Sequence, residues 1–247
     1  MVKKNLLFVV FLVVTICLAS AFQFSPLEQT FEPTGENAQK TYTIVNDSDD
    51  QIAISLSVLV RDQDENGNEV RSDASAQFQI MPAKVIVNPQ STYVVRVKYM
   101  GPKTVTVEKS YRLIAEQVPY SQGKSQTTQS MFNFLYIYYS SLYVTPSEKV
   151  IRVEISSAKA RLDEEGKQVM DVTVRNRGNV HQILLDTKLA LKDSDGKTVV
   201  VSGSEALAGI DSLNILARKS VTKTIPWPEG LTFVDGGTYT GSIEYSE

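Results

Sequence analysis

The 247-residue sequence has one cysteine and one histidine, and these two shortages exclude most catalytic and metal chemistry. A zinc site, a disulfide framework and a Cys/His pair each need more of these residues than the chain contains. With 42% hydrophobic and 21% charged residues, the composition is otherwise typical of a folded protein, neither disordered nor collagen-like. We therefore expect a non-enzymatic protein without a metal ion or another cofactor.

Long hydrophobic runs are also missing, with one exception at the N-terminus. There, Lys3 and Lys4 precede an apolar run over residues 6–18, and the small residues 19–21 follow it. This order is typical of a secretory signal peptide, so we predict cleavage before Phe22. The run of 13 residues is shorter than the roughly 20 that a membrane-spanning helix needs. The sequence therefore predicts an exported protein that does not insert into the membrane after cleavage.

An excess of positive charge is absent as well. Without Lys3 and Lys4 the chain has 23 basic and 28 acidic residues, and no segment forms a basic stripe. Proteins that bind nucleic acids or anionic membranes through their charge need such a surface, so we expect neither partner. Because Cys17 lies in the predicted signal peptide, the remaining 226 residues contain no cysteine. Their fold must be stabilised by core burial, for which this length suffices.

Short segments rich in β-branched and aromatic residues recur along the predicted mature chain, and several alternate between apolar and polar. Turn signals with Asp and Gly, such as residues 64–68 and 193–197, separate them. No segment has a long apolar stripe of helical period. The pattern predicts an all-β protein with two β-sandwich domains, residues 22–146 and 147–247. The predicted strands cover residues 41–45, 52–60, 84–87, 93–99, 111–118, 131–144, 150–155, 169–174, 183–191, 198–201, 221–225 and 239–245.

The most aromatic segment of the chain, residues 131–139, follows a polar stretch over residues 120–130. In a strand, Phe132, Phe134, Tyr136 and Tyr138 would point to one face. The opposite face would also be largely apolar. Two interpretations remain open: a central strand buried on both faces within the protein, or a strand whose free edge and second face are completed by another polypeptide.

Several motifs, in the same order along the chain, resemble the PapD-like periplasmic chaperones of pilus assembly. The most specific is residues 108–119, which read Glu-Lys-Ser-Tyr-Arg-Leu-Ile-Ala-Glu-Gln-Val-Pro. The others are Asn46 at a strand end, Pro-Gln-Ser at 89–91 with Val-Val-Arg-Val at 94–97, Ser-Ser-Leu-Tyr-Val-Thr-Pro at 140–146, Asn-Arg-Gly-Asn-Val-His at 176–181 and Asp-Gly-Gly at 235–237. The resemblance covers essentially the whole mature chain and is weaker in the second domain.

The resemblance implies two immunoglobulin-like domains in an L-shaped, boomerang arrangement, located in the periplasm. It implies that the last strand of the first domain binds an incomplete pilus or fimbrial subunit by donor-strand complementation, without ATP, and that the complex is delivered to an outer-membrane usher. On this view Phe132, Phe134 and Tyr136, with Tyr138 as a fourth, enter the groove of the client subunit.

Three further positions match the charge cluster that holds the angle between the domains in this family: Arg96, Glu108 and Asp235. The alternative for them is three solvated surface charges, each of little energetic value. Because all three residue types are present at matching motifs, the resemblance favours the cluster.

The family's basic cleft residues, which anchor the subunit's terminal carboxylate, are absent at the matching positions. Glu28 stands at the first-strand position and Ser141 at the donor-strand position, and a glutamate there would repel a carboxylate. Lys124 and Arg112 are candidate replacements. The alternative is a client held mainly by strand pairing and aromatic contacts.

Two other functional classes can be weighed against the chaperone prediction. A cell-envelope protein could keep this fold for interaction or structure and bind no unfinished subunit. A hydrolase or carbohydrate-binding module is disfavoured, because no catalytic constellation accompanies the lone His181. The acidic turns at 62–69 and 193–196 lack the full spacing of a calcium loop, so we expect hairpin turns there.

Overall fold

The computed structural model describes residues 22–120 and 135–246 of the chain. The predicted signal peptide, and Phe132 and Phe134 of the aromatic segment, therefore lie outside the described residues. Strands form two β-sandwich units, one before and one after residues 145–152, which confirms the predicted fold class. Within the described residues no helix is long and apolar enough to cross a membrane.

Over residues 22–120 and 135–144, ten strands and two short 3-10 turns, Glu36–Ala38 and Ser75–Gln77, build the first unit. The strands are β1 (Gln23–Ser25), β2 (Glu28–Phe31), β3 (Gln39–Asn46), β4 (Ile52–Gln63), β5 (Glu69–Asp73), β6 (Phe78–Met81), β7 (Lys84–Val87), β8 (Ser91–Tyr99), β9 (Lys109–Val118) and β10 (Ile137–Val144). Four of them form sheet I, in the order β1-β3-β8-β6. Sheet II has the order β2-β10-β9-β4-β5, and β7 also pairs with β4.

Alternation along the strands places one face of each sheet in a shared core. In β4, Ile52, Ile54, Leu56 and Val58 are buried, whereas the residues between them are half-buried or exposed. Side chains of a strand point alternately to opposite faces, so these four face sheet I. Full burial of one such side chain contributes about 1.5–3 kcal/mol. The core is completed by Phe24, Phe31, Tyr42, Ile44, Val95, Val97, Leu113, Leu142 and Val144.

The N-terminal segment passes from one sheet to the other. β1 pairs antiparallel with β3 in sheet I, and after Pro26 the chain enters β2, which pairs parallel with β10 in sheet II. This pairing begins where Glu28 lies beside Ser141 and ends at Phe31 beside Val144. β2 therefore covers only the C-terminal half of the β10 edge.

Eight strands build the second unit: β11 (Val153–Leu162), β12 (Gln168–Asn176), β13 (Gln182–Ile183), β14 (Leu185–Lys192), β15 (Thr198–Ser202), β16 (Asn214–Ile215), β17 (Ser220–Pro226) and β18 (Thr238–Ser246). Six of them have the order β15-β14-β18-β11-β12-β17, and β13 pairs with β16. Trp227 packs edge-on against Phe233 and Tyr239, with ring centroids 5.0 and 5.5 Å apart. It is therefore a packing residue of the second unit.

Three hairpin turns have the same Asp-x-x-Gly design. The carboxylate of Asp64 accepts hydrogen bonds from the main-chain N–H groups two and four residues later, at 2.9 and 2.8 Å. Asp163 and Asp193 do the same. The glycine three residues after each aspartate has a φ of +83°, +77° or +86°, a left-handed conformation that glycine adopts without steric cost. These carboxylates stabilise main-chain turns.

Candidate functional site

Strand β10 has an open edge over its N-terminal half. On one side it pairs with β9 along its whole length, from Ile137 to Val144. On the other side β2 begins only at Ser141. Among the described residues, the part of β10 before Ser141 therefore has a strand neighbour on one side only.

Two hydrogen bonds show which main-chain groups face the open side. The N–H of Gln117 in β9 donates to the carbonyl of Tyr136 at 2.9 Å, and the N–H of Ser141 donates to the carbonyl of Leu27, on the other side, at 2.8 Å. Because this direction alternates along a strand, even-numbered residues of β10 bond to β9. The N–H and C=O groups of the odd-numbered Ile137 and Tyr139 point to the open edge.

The side chains of this segment also alternate between two different environments. Tyr136 and Tyr138 are half-buried against the core of the first unit. The ring of Tyr138 lies 4.8 Å from that of Phe22, and its hydroxyl donates to the Phe22 carbonyl at 2.5 Å. On the opposite face Leu135, Ile137 and Tyr139 are 49%, 46% and 41% exposed. The two described members of the predicted aromatic face, Tyr136 and Tyr138, are thus continuous with the protein's own core.

The two cleft positions predicted from the resemblance lie side by side. Glu28 and Ser141 are paired in the parallel register of β2 and β10, where paired residues share one face of the sheet. Ser141 is buried and Glu28 is exposed. Of the two candidate replacements, Lys124 lies outside the described residues. Arg112 of β9 lies opposite Ser141, and its Nη1 donates to the Ser141 hydroxyl at 2.5 Å.

Arg112 is one of three arginines that surround a single carboxylate on the outer face of sheet II. Arg112 Nη2 lies 2.7 Å from Glu69 Oε2, Arg61 Nε lies 3.0 Å from the same oxygen, and Arg71 Nε lies 2.5 Å from Glu69 Oε1. The guanidinium carbon of Arg71 also lies 4.6 Å from the ring centroid of Tyr139 in β10, a cation–π contact. We call Arg61, Arg71, Arg112 and Glu69 the arginine cluster.

The three arginines of the cluster determine the charge state of Glu69. Burial by itself raises the pKa of this carboxyl, but hydrogen bonds from Arg112 and Arg71 and the charges of Arg112 and Arg61 outweigh burial. The net effect lowers the pKa of Glu69 to about 2. Glu69 is therefore ionised at neutral pH and under moderately acidic conditions.

The contact between the two units centres on Glu108, His181 and Tyr143. One Glu108 carboxylate oxygen lies 2.7 Å from His181 Nδ1 and accepts the His181 main-chain N–H at 3.0 Å. The imidazole stacks on the ring of Tyr143, with centroids 3.7 Å apart and an interplanar angle of 9°. The Glu108 side chain is 1% exposed, so this acid is almost fully removed from solvent.

The predicted interdomain charge cluster does not form with its predicted members. Glu108 lies at the domain contact, but its partner is His181. Arg96 is exposed on β8 of sheet I, and Asp235 is exposed in the turn before β18. Among the described residues no ion pair within 4.0 Å includes either of them. Gln63 and Tyr143 of sheet II contact the second unit, whereas Arg96 lies on sheet I.

Further polar contacts extend the interface along sheet II. The Gln63 amide donates to the Asn214 carbonyl at 3.0 Å and accepts the Leu216 N–H at 3.2 Å. The Tyr143 hydroxyl accepts hydrogen bonds from Asn214 at 3.0 Å and from Arg61 at 2.7 Å. Arg61 thus links the arginine cluster to the domain interface, and the cluster lies beside the second unit.

Sequence reasoning missed Arg61, Arg71, Glu69 and the interface role of His181. The three charged residues occupy strand positions with no motif around them, and β5 itself has no apolar alternation that would predict a strand. His181 could be noticed only as the single histidine of the chain. In the part of the chain that the structure describes, no group of three or more His, Cys, Asp or Glu residues could hold a metal ion.

Comparison with known proteins agrees with this architecture. Residues 29–148 match the family model described as pili and flagellar-assembly chaperone, PapD N-terminal domain. A search of curated protein sequences found no match. Among solved structures, the class 5 fimbriae chaperone CfaA has 16% identity and a TM-score of 0.55, covering 92% of this chain and 99% of its own.

Two other similar structures are complexes. The CsuC–CsuE chaperone–tip adhesion subunit pre-assembly complex of Acinetobacter baumannii Csu pili matches with 15% identity and a TM-score of 0.56, covering 86% of this chain and 90% of that one. The Salmonella enterica SafA pilin in complex with the SafB chaperone matches with 14% identity and a TM-score of 0.53, covering 92% and 97%.

The fold and the first domain together define the class of this protein: two immunoglobulin-like domains of the PapD type. Within that class, residues 29–148 match the PapD-type pilus and flagellar-assembly chaperone model, and the chain is similar in fold to the fimbrial chaperone structures above at 14–16% identity.

Proposed function

We propose that this protein is a periplasmic chaperone that binds an incomplete pilus or fimbrial subunit by adding β10 to the subunit's sheet, and that it delivers the subunit to an outer-membrane usher. The observation that carries the proposal is the open edge of β10 before Ser141. The predicted signal peptide supplies export, and the CsuC–CsuE and SafA–SafB structures show that proteins of this fold bind such subunits.

The open edge supports pairing with a client strand. Unpaired main-chain donors and acceptors at a sheet edge are a template for another strand, and proteins normally cover or blunt such edges. Ile137 and Tyr139 direct their main-chain groups to this edge, as the bonds of Tyr136 and Ser141 on either side imply. Each main-chain hydrogen bond with a client strand would contribute about 1 kcal/mol net.

The aromatic face of β10 would supply the apolar part of the contact with the client subunit. Tyr136 and Tyr138 pack against the core of the first unit, so a client sheet joined to β10 would extend that core outward. The sequence pattern predicts that, in a strand continued from β10, Phe132 and Phe134 would share this face. Burial of Phe132, Phe134 and Tyr136 in the client would contribute roughly 5–9 kcal/mol before ordering costs. Tyr138 lies at the junction between the two cores.

A matched pair of substitutions tests this assignment. We expect Phe134→Asp and Tyr136→Asp to abolish co-purification with a co-expressed fimbrial subunit, since each places a charge in the client's apolar groove. Leu135→Asp changes the neighbouring residue on the opposite face and should leave most of the complex intact. Stable complexes with both Phe134→Asp and Tyr136→Asp would refute donor-strand binding.

The alternative is a PapD-like envelope protein that binds no unfinished subunit. It predicts that no subunit gene accompanies this one, and that the native chain co-purifies with no fimbrial subunit when the two are co-expressed. That result would contradict the chaperone proposal whatever the behaviour of the variants.

A further inference from the structure

The β4–β5 hairpin, residues 61–71, reaches from the first unit to the second. Its turn lies against β17, where the N–H of Thr222 donates to the Glu65 carbonyl at 2.8 Å. One residue further along β17, Lys223 Nζ donates to the Asn66 carbonyl at 2.6 Å. The turn of the hairpin is therefore docked on the second unit.

The strand that receives the turn is an edge strand. Among the described residues β17 pairs with β12 only, and Thr222 directs its N–H away from β12 to the hairpin. The contact is tight, since a Cβ on Gly67 would lie 2.9 Å from Val221 Cγ1. Unpaired main-chain groups at a sheet edge are normally covered in folded proteins. The hairpin turn covers part of this edge and holds the first unit against it.

The other end of the hairpin contacts the client-binding strand. The guanidinium carbon of Arg71 lies 4.6 Å from the ring centroid of Tyr139, whose main-chain groups point to the open edge. Glu69 pairs with Arg71 and with Arg112, and Arg112 donates to the Ser141 hydroxyl, where β2 begins to occupy the edge. One hairpin thus joins the end of the open edge to the second unit.

We propose that the β4–β5 hairpin is a coupling element: strand pairing at the open edge of β10 favours docking of the turn on β17 and thereby narrows the range of interdomain angles. The inference rests on the proposed function and adds a conformational response to it. The two states are a docked one, which this structure has, and a released one, in which the turn leaves β17. Because such coupling is reciprocal, docking of the turn also favours strand pairing.

A strand added to β10 would act on the hairpin through Arg71 and Tyr139. The Tyr139 residue is 41% exposed and the Arg71 side chain 38% exposed. Side chains of an added strand would lie beside Tyr139 on the same face of the sheet and cover both groups. A cation–π contact is stronger once it is desolvated. Arg71 would then be fixed together with Glu69, the first residue of β5, and the hairpin with them.

The hairpin has little core burial to hold it in one position. Glu69 is half-buried, the other residues of β5 are exposed, and among the described residues β5 pairs with β4 only. Segments with few buried contacts open locally at a small cost in free energy. The ion pair of Asp62 with Lys219 lies near the turn, but these side chains are 51% and 36% exposed, so the pair contributes little. The docked and released states therefore differ by few contacts.

An interdomain distance measured with and without an added strand tests the coupling. The predicted mature chain contains no cysteine, so spin labels at Lys98→Cys on β8 and Lys188→Cys on β14, both exposed, report this distance by pulsed EPR. The probe is an eight-residue peptide of alternating valine and serine, acetylated and amidated. The control peptide has N-methyl groups on alternate residues and cannot pair along an edge. Calorimetry measures affinity, and NMR of the Ile137 and Tyr139 main-chain amides locates the bound peptide.

Four variants separate the two ends of the hairpin. Thr222→Pro removes the N–H that donates to the turn and leaves the β12 side of β17 unchanged. Thr224→Pro is its matched control, because this N–H lies on the same edge two residues away and each substitution also removes one threonine hydroxyl contact. Lys223→Met removes the bond to Asn66 and keeps the main chain of β17, so it decides the test if proline disrupts the fold. Arg71→Gln removes the contact with Tyr139.

In the native chain we expect the peptide to narrow the distance distribution and the N-methylated peptide to leave it unchanged. Thr222→Pro should widen the distribution of the free protein and weaken peptide binding about fivefold. Lys223→Met should act in the same direction, and Thr224→Pro should behave like the native chain. In Arg71→Gln the peptide should no longer narrow the distribution, and Thr222→Pro should cause no further loss of affinity.

Peptide binding with shifts at Ile137 and Tyr139 but an unchanged distance distribution would overturn the coupling and leave strand addition standing. Equal peptide affinity of the native chain, Thr222→Pro and Lys223→Met would also overturn it. If the peptide binds none of these chains, strand addition itself is contradicted, and the coupling with it.

Discussion

At the scale of single residues, the arginine cluster shows that the role of a side chain is decided by partners far away in sequence. Arg112 lies in the segment that most specifically resembles the family, and it could be named from the sequence as a candidate. Arg61, Arg71 and Glu69 could not, because their proximity results from the pairing of β4 with β5 and β9. In the sequence, isolated charged residues on predicted strands do not indicate that they come together around one carboxylate.

The low pKa of Glu69 leads to a prediction for stability against acid. A carboxyl whose pKa falls from 4.5 to about 2 on folding stabilises the protein above pH 4.5, and this contribution is lost as the pH falls from 4.5 to 2. We expect Glu69→Gln to be less stable than the native chain at pH 7 and the gap to shrink steadily below pH 4.5. Urea denaturation of both chains at pH 7, 4 and 2.5 measures it.

The matched control for this experiment is Glu165→Gln. Glu165 pairs with Lys167 at the surface, and both side chains are 71% exposed, so this pair has little effect on stability. Its substitution should change stability slightly at every pH. A destabilisation by Glu69→Gln that is independent of pH would show that packing, and not the charge of Glu69, accounts for its effect.

At the scale of elements, the sequence predicts the long alternating strands and misses the short polar ones. β7 has the predicted bounds, and β3, β4, β8 and β9 extend the predicted segments by a few residues. The missed strands are β1, β2, β5, β6 and β16, which have two to five residues each, and the predicted segment 183–191 includes only one of the two residues of β13. Their pairing is determined by longer neighbours, so residue preferences within them are too weak to reveal them.

β10 illustrates what periodicity can and cannot decide. The alternation of Tyr136 and Tyr138 with Ile137 and Tyr139 predicts two distinct faces, and the structure has them. The sequence could not show that the edge is open, because that depends on β2 starting only at Ser141. The direction of main-chain groups follows from the register and not from the residue types.

The open edge predicts different effects for proline at two adjacent positions. Ile137→Pro removes an N–H that points to the open edge, so the protein itself should remain folded while its complex with a client subunit weakens by about tenfold or more. Tyr138→Pro removes an N–H that points to β9 and should destabilise the first unit. Thermal unfolding and co-purification of both variants measure these effects. Equal loss of stability in the two variants would contradict the assigned directions of the main-chain groups.

At the scale of the whole molecule, polar contacts along sheet II join the two units, and one aromatic stack, Tyr143 on His181, lies among them. The family resemblance identifies Glu108 as an interdomain residue, and the structure places it there with a histidine as its partner. The family resemblance predicts which position lies between the domains. It does not predict the partner of a buried acid there, because that partner depends on which sheet faces the second unit. In this protein that is sheet II, through Tyr143, Gln63 and Glu108.

The last prediction concerns this interdomain contact. His181→Phe keeps an aromatic ring on Tyr143 but removes the Nδ1 group that contacts Glu108, whereas His181→Ala removes both. Because Glu108 is buried, loss of this partner should destabilise the protein by about 1–3 kcal/mol, and loss of the stack should add to the effect. We expect small-angle scattering to show that the range of interdomain angles increases from the native chain to His181→Phe and further to His181→Ala.

The control is Asp235→Ala, at the position that the resemblance places in the cluster. It should match the native profile, since Asp235 forms no ion pair within 4.0 Å among the described residues. A broader profile for Asp235→Ala than for His181→Ala would restore the cluster predicted from the family and contradict the histidine contact.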